Sequence, residues 1–96
     1  MQLDESAVCL SIQRALLDAV TKNLRRLSFT VSENLITLYF SYDGEPSEVE
    51  KELTSDIAAE VISDFGDSHN IDCQVLRVDS PQKIKTQGRI VFSRFE

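Results

Sequence analysis

The chain has 96 residues, with ten Lys and Arg against sixteen Asp and Glu, a net charge of −6. That length holds a single domain, 1–96, and a hydrophobic content of 42% furnishes its core without help from a metal or a disulfide. The negative balance argues against a nucleic-acid partner, which demands clustered Lys and Arg, and favours a basic protein partner.

The opening "MQLDESAVCLS" lacks the basic stretch and unbroken apolar run of a signal peptide. No window approaches the ~20 apolar residues of a membrane span. Cys9 and Cys73 stand far apart in apolar company, as expected of reduced thiols buried in a cytoplasmic protein. Steps of three and four between Val8, Cys9, Ile12, Ala15, Leu16, Ala19 and Val20 predict a helix over 6–23. Asp4 or Ser6 would cap it, and Lys22, Arg25 and Arg26 would sit at its end, where cations are favoured. The period then changes to two. Leu27, Phe29 and Val31, followed by Ile36, Leu38 and Phe40, predict a β-hairpin over 27–42 that turns at "SEN".

"DGEP" at 43–46 stops the second strand, and Ser47 with Glu50 has the form of a capping box. The helix it opens has a broad apolar face from Val49 to Phe65 and should end near Gly66. Alternation at Ile71, Cys73 and Val75 predicts a third strand, residues 80–88 a polar connection, and "RIVFSRF" a fourth strand. The order αββαββ predicts an α+β fold, a four-stranded antiparallel sheet with both helices packed on one face. The opposite face, where Tyr39, Leu76 and Val91 are expected, stays partly open; the chain is expected to be a monomer or a weak homodimer through that face.

Charge is distributed unevenly. Residues 43–67 hold nine acids and one base, a net of −8, whereas the rest of the chain carries +2. Within that segment Glu48, Glu52, Asp56, Glu60 and Asp64 recur at steps of four, neighbours on a helix surface that repel one another. Glu60 and Asp64 also fall at the end of the helix that disfavours anions. A solvated face kept acidic for solubility is one explanation. A surface that steers a basic partner into contact is the other.

Motifs for catalysis and metal binding are missing. His69 stands alone in a polar loop, Gly44, Gly66 and Gly88 form no phosphate-binding loop, and acids at steps of four on a helix do not converge on an ion. No cofactor or metal is expected, and no enzymatic activity.

The ordered set "YFSYDGEPSE", "SDIAAEVISDF", "LRVDSP" followed by "KI", and "GRIVFSR", which together with the αββαββ order covers about Ala15 to Arg94, resembles small bacterial immunity proteins of polymorphic toxin and contact-dependent growth-inhibition systems. Such relatives often carry proline after the Phe of "SDF", where Gly66 stands here. The resemblance implies a non-enzymatic cytoplasmic inhibitor that neutralises a cognate toxin by direct binding. Such toxins are often nucleases with basic clefts. Combined with the charge pattern, it makes Tyr39, Tyr42, Asp43, Glu45, Glu48, Glu52, Asp56 and Glu60 the candidate contact residues, the tyrosines as buried anchors and the acids as guides for encounter. A general interaction or adaptor domain, homodimeric through the open sheet face, is the alternative.

Overall fold

The computed structural model describes residues 4–96; Met1–Leu3, part of the stretch read above for a signal peptide, lie outside the described residues. Asp4 opens the first helix by accepting a hydrogen bond from the Ser6 amide at 3.0 Å. This helix, α1 (Glu5–Ala15), is shorter than its apolar period suggested. Asp18 adopts φ +65°, a left-handed conformation that Asp tolerates, and the chain reverses through Leu16–Ala19. The first strand therefore begins earlier than expected. It is β1 (Leu24–Ser32), and Arg25 and Arg26 belong to it rather than to a helix end.

The remaining elements are β2 (Leu35–Tyr42), α2 (Glu48–Ser63), β3 (Asn70–Arg77) and β4 (Arg89–Ser93). The order αββαββ is as predicted, but the sheet is mixed. Strands lie in the order β3-β2-β1-β4, with β1 antiparallel to β2 and β4, and β3 parallel to β2. The wholly antiparallel sheet is thus corrected. A helix between two strands carries the chain back to the starting end of the first, so the strand after α2 runs alongside β2 in the same direction.

Both helices cover one face. Val8, Ile12, Ile57 and Val61 from the helices meet Leu27, Phe29, Ile36, Leu38 and Phe40 from the central strands in one cluster, each at most 3% exposed. Among the described residues no helix is long and apolar enough to cross a membrane.

The second face is not left bare. Because β3 and β4 occupy opposite edges, residues 78–88 must cross the sheet between them, forming a strap. Arg25 Nη1 donates to the carbonyls of Val78 and Gln82 at 2.7 and 2.8 Å, and Arg26 Nη1 donates to Thr86 Oγ1. Ser28 and Ser41, whose side chains point away from the helices, are 2% and 3% exposed. Of the apolar side chains expected on this face, Leu76 is 40% exposed and Tyr39 bonds Thr30 through their hydroxyls. Val91 is turned instead towards the core, because the pairing of β1 with β4 slips by one residue there.

Candidate partner-binding surface

Ser47 Oγ accepts from the Glu50 amide at 3.1 Å, and Glu50 Oε1 accepts from the Ser47 amide at 3.0 Å, so the predicted capping box is complete. Glu50 does more than cap. Its Oε2 accepts from the Thr21 hydroxyl at 2.6 Å, tying α2 to the segment before β1. Burial pushes the Glu50 carboxyl up, but the bonds from Ser47 and Thr21 outweigh it and hold the group below the ordinary range. At the far end of α2, Asp64 accepts from Ser11 and pairs with Arg14 at 3.8 Å. His69 bonds the Phe65 carbonyl through Nδ1 at 2.6 Å, closing the chain behind the helix.

These bonds fix how α2 turns. Glu50, Thr54, Ile57 and Val61 face inward, and Glu48, Glu52, Asp56 and Glu60 face water. Glu48 pairs with Lys51 at 3.6 Å. Glu48, Lys51, Glu52, Ser55 and Asp56 line a shallow depression of about 270 Å³. The row is thus an open anionic surface in which Lys51, paired with Glu48, is the one cation lining the depression, and Glu52, Asp56 and Glu60 are left without an ion pair among the described residues.

The other candidates divide differently. Tyr42 lies in the core at 3% exposure, on the same side of β2 as Phe40, and burial together with the nearby Glu50 charge pushes its phenol up to about 12. Tyr39 stands on the strap side of the sheet. Asp43 is occupied by the chain itself: Oδ1 accepts from the Ser80 amide at 3.2 Å and Oδ2 from Arg94 at 3.4 Å. Glu45 is exposed and lies 3.8 Å from Arg77.

Asp43 belongs to a network that joins the ends of all four strands. Asp79 accepts from the Gly44 amide at 2.8 Å and from Arg77, whose guanidinium holds its carboxyl below the ordinary range. Arg25, 3% exposed, makes a two-pronged pair with Glu96, Nε to Oε2 at 2.6 Å and Nη2 to Oε1 at 2.7 Å. That bond holds the Glu96 carboxyl at about 2, against partial burial and with help from Arg94. A carboxyl depressed by folding contributes stability that is complete above its unfolded value and disappears on acidification. Urea midpoints should therefore fall as pH drops from about 4.5 to about 2. Glu96→Gln should flatten that limb; an unchanged slope would detach the pair from acid stability.

Sequence reasoning missed Arg25, because its charge suggested a helix end. It also missed Phe95, which it absorbed into the fourth strand but which lies beyond β4 and is 100% exposed. Cys9 is buried and Cys73 half-buried, both as free thiols, and burial with the Asp72 charge pushes the Cys73 thiol up to about 11. Among the described residues no cluster of three or more His, Cys, Asp or Glu is arranged to hold a metal.

Against known proteins, the family model described as MafI2 immunity protein matches residues 5–96. No curated protein matches the chain.

Proposed function

The chain belongs to the MafI2 immunity protein family, and from that membership we propose that it binds a cognate toxin in the cytoplasm and holds it inactive, using the outer side of α2 as its docking surface. The observation that supports this surface is the row Glu52, Asp56 and Glu60, exposed and without ion pairs among the described residues. Neighbouring carboxylates one turn apart repel by a few tenths of a kcal/mol per pair, a cost that arriving Lys and Arg side chains relieve. The complementary partner is a toxin domain with a basic surface, and a nuclease, whose cleft must attract phosphates, has that character. Inhibition by this route needs no reaction on the inhibitor's side. The contact needs only shape and charge.

The test uses the cognate toxin domain, mixed rapidly with this chain at increasing salt. Association should slow steeply as salt rises, and the double variant Glu52→Lys, Asp56→Lys should slow it at low salt by about tenfold or more. Rates indifferent to both salt and charge reversal would remove α2 from the docking surface.

A further inference from the structure

Carboxylates guide encounter better than they hold a complex, and a durable interface needs a desolvated apolar anchor. Neither tyrosine favoured by the sequence is well placed for that part, since Tyr42 is in the core and the Tyr39 hydroxyl is engaged by Thr30. Phe95 is different. It is 100% exposed, compared with 74% for Leu17 and 65% for Val49, and it is the largest of these side chains.

Its backbone is held from both sides. The Arg94 amide donates to the Arg25 carbonyl at 2.8 Å. The Arg94 guanidinium donates to the Lys22 carbonyl at 2.8 Å, to Asp43 at 3.4 Å and to Glu96 at 3.1 Å. On the other side Glu96 is clamped by the buried Arg25. Three consecutive residues are therefore a bonded Arg, a ring in water and a bonded Glu. Ordering of the flanks before binding lowers the entropy lost when the ring is captured.

The position also matches the acidic surface. Arg94 bonds Asp43, the first residue of the turn that carries Glu45 and leads through Ser47 to Glu48 at the start of α2. Phe95 thus stands at the end of the molecule from which the acidic row departs.

We propose that Phe95 is the anchor of the toxin interface, inserting into an apolar pocket of the toxin domain whose rim carries the Lys or Arg that meet Glu45 and Glu48. The inference rests on the toxin-binding reading above. It differs from that reading in its kinetic signature, because a captured ring controls dissociation whereas the acidic row controls encounter.

The experiment compares the parent chain with Phe95→Ala and Phe95→Leu against the toxin domain used above. Since the ring contacts nothing that supports the core, both variants should melt as the parent does. Phe95→Ala should leave the association rate within about twofold and speed dissociation by about thirtyfold or more, with Phe95→Leu in between. If dissociation of Phe95→Ala stays within about threefold of the parent while charge reversal on α2 still slows association, the anchor is overturned and the docking surface survives. If the parent chain does not bind that toxin domain at all, both proposals fall.

Discussion

Gly88→Ala is expected to lower the unfolding free energy by about 3 kcal/mol or more, the largest loss from adding a methyl group at any of the three glycines. Gly88 ends the strap at the point where it joins β4, with φ +74°. A Cβ there would lie 2.0 Å from the Phe29 carbonyl oxygen, 2.7 Å from its carbon and 2.7 Å from Thr30 Cγ2. Phe29 cannot yield, because its ring is fully buried and its strand is bonded to neighbours on both sides. Relief would require lifting the strap, which would expose Ser28, Ser41 and the Arg25 guanidinium. Gly66→Ala supplies the control. Gly66 has φ +82° with nothing within 4 Å of the added carbon, so its substitution carries only the backbone penalty of about 1 kcal/mol. Urea denaturation of the two variants should separate them widely. Equal losses would mean that the close approach to Phe29 is not the cause.

Glu50→Ala should cost about 2 kcal/mol. The substitution removes one half of the capping box, leaves the Ser47 amide without its partner, and frees the Thr21 hydroxyl from its 2.6 Å bond. Thr21→Val isolates the tether and should cost about half as much. Glu50→Gln keeps an acceptor oxygen for one of the two donors and should recover part of the loss. The ranking of the three variants is the measurement. A Glu50→Ala protein as stable as the parent would show that Glu50 is one more carboxylate of the acidic segment, indifferent to the fold.

That Glu50 differs from its acidic neighbours was legible in the sequence, through its spacing from Ser47. The helix faces, the β1–β2 hairpin and the element order were legible for the same reason: local periodicity and caps record local structure. The resemblance to toxin-immunity proteins is likewise met by the family match over residues 5–96. The direction of β3 depended on a longer-range fact, that α2 acts as a crossover, and alternation within Ile71–Val75 carries no information about it. The length of α1 was misread because Ala19 and Val20 continue the helical period, although Asp18 breaks the helix in the left-handed region. Tyr42 shares strand parity with Phe40, a signal of burial that was present in the sequence and not used. Arg25 had no local signature, since its partners Val78, Gln82 and Glu96 are all more than fifty residues away.

Along α2, two sets of positions alternate in the chain yet occupy opposite sides of one cylinder. Glu50, Thr54, Ile57 and Val61 seat the helix; Glu48, Glu52, Asp56 and Glu60 do not touch the core. Substitution in the second set leaves the first intact, so the outward charge pattern can be rewritten while the scaffold persists. Under the docking proposed above, an inhibitor of this build keeps pace with a changing adversary by swapping charges on a helix whose foundations stay in place.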